Sequence, residues 1–108
     1  MQHWFFLAGA IALEVAGTTA MKLSGSFTKL VPSVLLFVFY AASFMVLTFA
    51  LKKIDVSVAY AVWSGVGTAL IAAIGILYFR ESLTLIKLIS ILFIILGVVG
   101  LLLGEGRQ

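Results

Sequence analysis

Hydrophobic positions along the chain form four long runs, which short polar segments separate. The runs cover residues 4–21, 31–51, 56–79 and 85–103, and each is about 18 to 24 residues long. A helix of this length crosses a hydrocarbon core about 30 Å thick. Strands of a membrane barrel would alternate apolar and polar residues, and these runs do not alternate. The pattern therefore predicts an all-α membrane protein, with four transmembrane helices in a single domain covering residues 1–108.

The segments between the runs are short, namely KLSGSFTKL, KKID and RESLT. They leave no room for a soluble domain and predict helical hairpins. Pro32 falls at the start of the second run, where a helix does not use the N–H that proline lacks. Ser82 or Thr84 is predicted to cap the fourth helix.

Composition agrees with a membrane environment. The chain is 64% hydrophobic and 10% charged, with a mean hydropathy of +1.29. Soluble domains are nearer half apolar and a quarter charged. The net charge of +3 comes from scattered cations without interleaved aromatic residues, which argues against nucleic-acid binding. The chain has no cysteine and one histidine, so the sequence predicts neither a metal site nor a cofactor.

The lysines and arginines give almost no preference for one orientation in the membrane. Four would lie on one side, and three on the other side with the N-terminal amine; the two sets are Lys22, Lys29, Arg80 and Lys87, and Lys52, Lys53 and Arg107. The bias that normally orients a membrane protein is thus nearly cancelled. This balance is compatible with insertion in both orientations and with an antiparallel pair of identical chains.

Glu14 is the most informative residue, because it lies in the middle of the first apolar run without a neighbouring cation. A carboxylate at that depth is costly, and intramembrane acids usually have a function. Gly17 and Thr18 share its helical face, so another helix or a ligand can approach closely. A structural acid, hydrogen-bonded across a helix interface, is the alternative interpretation.

The third run carries the segment AYAVWSGVG, whose polar and aromatic residues recur at helical spacing. Tyr60, Trp63, Ser64 and Gly67 fall on one face. Aromatic faces bind organic cations, and Trp binds them best. An interfacial aromatic belt is the alternative.

Three further features have both a functional and a packing interpretation. Gly65 and Gly67 flank Val66 and predict either a hinge or close helix packing. In the second run, three residues form a semi-polar patch that either completes a cavity or packs against a helix; they are Tyr40, Ser43 and Phe44. In the fourth, Ser90 and Gly97 lie seven residues apart and predict a helix–helix contact surface.

The chain contains no phosphate-binding loop and no nucleophile with a plausible base. The sequence therefore predicts no enzymatic activity, and any transport would be driven by an ion gradient.

The chain resembles the small multidrug resistance family of bacterial drug/proton antiporters. The resemblance lies in Glu14 and in the segments GTTAMKLS, FTKLVPS and AYAVWSGVG. The resemblance covers essentially the whole chain. It implies an antiparallel homodimer in the bacterial inner membrane, with one cavity lined by both copies of Glu14.

The resemblance also implies residue roles. Glu14 would bind either protons or a cationic substrate, and Tyr60 and Trp63 would line the site. Gly65, Val66 and Gly67 would form the kink, and the last helix would dimerise. The remaining lining would come from Ala10, Ile11, Gly17, Thr18, Tyr40 and Phe44.

Gly17 bears on the subtype. Guanidinium exporters of the family typically carry Trp three residues after the glutamate, so the resemblance favours the branch that exports quaternary ammonium and other lipophilic cations. A guanidinium or polyamine exporter, a two-gene heteromer, an accessory membrane subunit without its own transport and a passive channel remain as alternatives.

Overall fold

A computed structural model describes residues 2–105, with side chains through residue 104. Its elements are four helices, α1 (Gln2–Leu23), α2 (Leu30–Ala50), α3 (Val56–Leu77) and α4 (Leu85–Glu105). All four are long and apolar enough to cross a membrane. Over the described residues the all-α prediction is confirmed, and each helix begins and ends within two residues of its apolar run. Arg107, which entered the orientation argument, lies outside the described residues.

The helices pair in chain order into two units, Met1–Asp55 and Val56–Gln108. The first unit is the hairpin of α1 and α2, and the second is the pair α3 and α4. The single domain inferred from the sequence stays a prediction.

In the first unit, α1 and α2 run antiparallel, and small residues bring their backbones close. Ser43 and Ala10 are both wholly buried, and the Ser43 hydroxyl donates to the Ala10 carbonyl oxygen at 2.7 Å. Near the start of α1 and the end of α2, the ring centroids of Phe6 and Phe49 lie 5.7 Å apart. A buried hydroxyl needs such a partner, so this hydrogen bond helps to set the register of the two helices.

The loop between α1 and α2 is organised around the buried side chain of Ser24. Its hydroxyl donates to the Met21 carbonyl oxygen and accepts from the Phe27 N–H. Gly25, Ser26 and Phe27 all have positive φ. For the two residues with side chains this left-handed backbone is unfavourable, and the hydrogen bonds to Ser24 offset part of that cost.

In the second unit, α3 packs on α4 at Gly65, which is buried against Ile94 and Val98. The connection to α4 folds back, with the Glu81 N–H donating to the Gly75 carbonyl oxygen at 2.9 Å. The Thr84 hydroxyl accepts from the Lys87 N–H at 3.1 Å, so Thr84 is the residue that caps α4.

Candidate functional site

Glu14 lies half-buried on α1, within the first membrane span. Thr18, one helical turn later, donates a hydrogen bond to the Glu14 carboxylate, with 2.6 Å between Oγ1 and Oε2. The nearest cation along α1 is Lys22, eight residues further on. The carboxylate is therefore held by a neutral hydroxyl, which stabilises its charge without neutralising it.

Tyr40 of α2 extends this hydrogen bonding across the hairpin. Its hydroxyl lies 2.6 Å from the Thr18 hydroxyl oxygen, and either oxygen is able to donate. A hydroxyl has a single hydrogen. When Thr18 gives its hydrogen to Glu14, the hydrogen between Thr18 and Tyr40 must come from Tyr40. The three side chains form a connected network, in which Tyr40 supports Thr18 and Thr18 supports the carboxylate.

Gly17 provides the space that Tyr40 occupies. A Cβ atom at position 17 would lie 2.5 Å from Cδ1 and 2.7 Å from Cε1 of the Tyr40 ring. Real Cβ contacts are not that short, so a larger residue at position 17 would displace the ring. Gly17 thus allows Tyr40 to lie against α1, with its hydroxyl beside Thr18.

The other residues predicted to line a cavity in this unit differ in exposure. Ala10, Ile11 and Ser43 are buried, and Ala10 and Ser43 hold the two helices together. Phe44 is exposed, and its ring centroid lies 6.3 Å from that of Tyr40. Tyr40 and Phe44 thus form an aromatic pair on α2, and Tyr40 is linked to the carboxylate through Thr18.

In the second unit the structure brings Tyr60 and Trp63 together. Their ring centroids lie 5.5 Å apart in an edge-to-face arrangement, with 65° between the planes. Tyr60 is 61% exposed and Trp63 is half-buried. Tyr60 therefore presents open aromatic surface beside Trp63, as a binding surface for an organic cation requires.

Ser64 lies beside a groove between α3 and α4 of about 330 Å³. Its hydroxyl donates weakly to the Ala61 carbonyl oxygen at 3.3 Å. The groove is lined by Ala61, Ser64, Gly65, Thr68, Ile94, Gly97, Val98 and Leu101. Through the predicted hinge at Gly65–Gly67, α3 is one continuous helix.

The two residues predicted to form a dimer interface, Ser90 and Gly97, are exposed on α4. A Cβ atom at Gly97 would meet no neighbouring heavy atom within 4 Å. That surface is open in the single chain, and its role as an interface stays a prediction.

Sequence reasoning missed the residues of α4 that fill the space above Gly65. A Cβ atom at position 65 would lie 2.5 Å from Cγ2 of Val98 and 3.3 Å from Cγ2 of Ile94. A signal was present on α3, where small residues recur at i, i+3, i+4 and i+7 as Ala61, Ser64, Gly65 and Thr68. Such a stripe is typical of close helix packing in membranes.

Four helices are long and apolar enough to span a membrane, one of them carries a carboxylate hydrogen-bonded to a hydroxyl group, and another carries an aromatic pair with Tyr60 exposed. This is a multi-pass membrane protein with an ionisable group inside a span, which is typical of ion and substrate pathways.

Comparison with known proteins gives the family. The sequence pattern of the family described as Small Multidrug Resistance protein matches residues 2–94. The chain belongs to the Small Multidrug Resistance family.

Individual relatives align over most of their length. The chain is 58% identical over 103 residues to the "Uncharacterized membrane protein YvaE" of Bacillus subtilis (strain 168), covering 95% of this chain and 87% of that protein. It is 44% identical over 98 residues to the "Multidrug transporter EmrE" of Escherichia coli (strain K12), covering 91% and 89%. It is also 44% identical over 98 residues to the "Quaternary ammonium compound-resistance protein QacF" of Klebsiella aerogenes, covering 91% and 89%.

Proposed function

We propose that this protein is a proton-coupled antiporter that exports lipophilic, aromatic and quaternary ammonium cations across the bacterial inner membrane. Membership of the Small Multidrug Resistance family supports the class. The names of the two relatives EmrE and QacF support multidrug and quaternary ammonium substrates. The role proposed is transport, with small organic cations and protons as its partners and no enzymatic step.

The observation that carries the proposal is the environment of Glu14. The carboxylate lies within an apolar span, where it accepts a hydrogen bond from Thr18, and Tyr40 in turn hydrogen-bonds Thr18. A carboxylate in such surroundings is stabilised when something neutralises it. A proton and an organic cation are both able to neutralise the carboxylate. Binding of one lowers the affinity of the carboxylate for the other.

The hydrogen-bond network distinguishes the two states. With a cation bound, Glu14 is charged, Thr18 donates to it and Tyr40 donates to Thr18. When Glu14 takes a proton, its own hydroxyl is able to donate to Thr18, and Thr18 then donates to Tyr40. Each of the three side chains keeps at least one hydrogen bond in both states, so proton and cation are able to exchange without separating the three side chains.

The aromatic residues supply the part of the site that recognises the substrate. Tyr60 and Trp63 offer ring faces to which a quaternary ammonium or phosphonium group is attracted. Such cations lack N–H donors, so aromatic surface and a carboxylate are the groups that attract them most. In the first unit, Tyr40 and Phe44 are proposed to supply further aromatic lining.

The proposed working form is an antiparallel homodimer with one shared cavity. The nearly balanced lysines and arginines support insertion in both orientations. Open small residues on α4, including Gly97, support close contact with a second copy. Bending at Gly65–Gly67 is proposed to expose the cavity to each side in turn.

The test is transport by the purified chain in proteoliposomes, with a proton gradient driving tetraphenylphosphonium uptake. Glu14→Gln should abolish gradient-driven uptake, because the amide cannot exchange a proton. Asp55→Asn is the matched control, since it removes an exposed carboxylate from the connection between α2 and α3 and should retain uptake. Sustained gradient-driven uptake by Glu14→Gln would refute the proposal.

The same liposomes separate the alternatives. A purified single chain that transports excludes both an accessory subunit and an obligate two-gene heteromer. Uptake of guanidinium or of a polyamine, without uptake of tetraphenylphosphonium, would assign the chain to the guanidinium or the polyamine exporters. Stimulation of uptake by substrate on the opposite side argues against a passive channel.

A further inference from the structure

Val98 is the point at which α4 meets the predicted hinge of α3. Among residues 85–104, whose side chains the structure describes on α4, Val98 is the one that is buried, at 8% exposed. Its neighbour Val99 is 45% exposed. Val98 is therefore the α4 side chain that packs most completely in the single chain.

The partner of Val98 is the bare backbone of Gly65. The Val98 Cγ2 methyl occupies the position of an absent side chain, because a Cβ atom at position 65 would lie 2.5 Å from it. Ile94, one turn earlier on α4, reaches the same place less closely, at 3.3 Å. We call the space above Gly65 that these two residues fill the Gly65 notch.

The notch lies where movement of α3 would change the aromatic surface. Gly65 begins the Gly65–Gly67 segment and follows Trp63 by two residues. A bend of α3 in this segment changes the direction of the turn that carries Trp63, relative to α4. The same bend must slide Gly65 along Val98 or withdraw Val98 from the notch, since close-packed side chains do not deform continuously.

The geometry points to Val98 as a positioning residue, whose side-chain volume in the Gly65 notch sets the rate at which α3 changes its bend. The inference rests on the proposed function for its biological purpose, which is alternating access. Val98 contacts neither substrate nor proton; it acts through α3. A smaller residue at position 98 lowers the barrier to the bend, and a larger one raises it.

The experiment measures exchange between conformers by nuclear magnetic resonance exchange spectroscopy of α3 amides, on the full chain in bicelles without added cation. Val98→Ala should speed exchange about tenfold, the effect expected for removing buried methyl groups from one state. Val98→Ile, which keeps the branched side chain and adds a methylene, should slow it. The matched controls Val99→Ala and Val99→Ile should stay within about twofold of the wild type, because Val99 lies outside the notch.

A size swap tests the contact itself. In Gly65→Ala/Val98→Ala the new methyl at position 65 enters the space that the Val98 methyl groups leave. Exchange in this double variant should return to within a few-fold of the wild-type rate, although Gly65→Ala alone disturbs the packing. The inference would be overturned if the exchange rate did not depend on residue size at position 98. It would also be overturned if substitutions at position 99 changed the exchange rate as much as those at position 98. A wild type with a single conformer would overturn it as well.

Binding measured on the same samples keeps the two proposals apart. Titration with tetraphenylphosphonium should give similar affinities for the wild type and Val98→Ala, because Val98 is not among the residues proposed to bind the cation. If the wild type fails to bind any cation, the proposed function fails, and the exchange rates still decide the role of Val98.

Discussion

Tyr40 lies against Gly17 so closely that a single methyl group at position 17 would be 2.5 Å from a ring carbon. This contact places the Tyr40 hydroxyl 2.6 Å from Thr18, which in turn donates to Glu14. The absence of a side chain at Gly17 therefore allows the hydrogen-bond network of Tyr40, Thr18 and Glu14 to form.

Gly17→Ala should weaken cation binding about tenfold or more. The new methyl must displace the Tyr40 ring, and overpacking of this kind costs of order 1–3 kcal/mol. Gly9→Ala is the control on the same helix, because a methyl there meets Val46 at an ordinary 3.7 Å. Tetraphenylphosphonium affinity is the measurement, and equal affinities for the two variants would show that the Tyr40 contact is unimportant.

Thr18→Val removes the hydroxyl that donates to Glu14 and keeps the shape of the side chain. Cation affinity at neutral pH should fall about two- to tenfold, since a hydrogen bond contributes about 0.5–1.5 kcal/mol and its loss disfavours the charged carboxylate. Thr19→Val removes a hydroxyl that donates to the Val15 carbonyl oxygen, so it should bind as the wild type does. A larger loss in Thr19→Val than in Thr18→Val would contradict the network.

The sequence predicted the helices well, because the length and apolarity of a membrane helix are local properties of the chain. The bilayer requires both, since it offers no water to the backbone. It singled out Glu14, Tyr60 and Trp63 for the same reason, since a charged or aromatic residue within an apolar run can be recognised without knowledge of the fold. It did not reveal that Tyr40 lies on Gly17 or that Val98 lies on Gly65. Those contacts depend on the register between two helices, which no single run of residues contains.

Trp63→Ala should reduce the affinity for tetraphenylphosphonium about tenfold or more, because it removes the ring face best suited to a cation and the partner of Tyr60. Trp63→Phe should retain part of the affinity. The control is Trp4→Ala, which removes the other tryptophan of the chain, near the start of α1. Direct binding to detergent-solubilised protein is the assay, and an unchanged affinity in Trp63→Ala would remove this residue from the site.

Acidification should weaken cation binding in the wild type, because protons compete for the same carboxylate. The affinity for tetraphenylphosphonium, measured by titration at a series of pH values, should fall as the pH is lowered. Glu14→Gln should bind weakly at every pH. A wild-type affinity that rises on acidification would contradict competition at Glu14.

Competition between proton and cation at Glu14 predicts that protons are released when the cation binds. Purified protein in a weakly buffered solution is mixed with tetraphenylphosphonium at a series of starting pH values, while the pH is recorded. If proton and cation share Glu14, the wild type releases protons as the cation binds, Asp55→Asn releases the same amount and Glu14→Gln releases none. Saturating binding to the wild type with no proton release, or equal release by Glu14→Gln, would contradict the account.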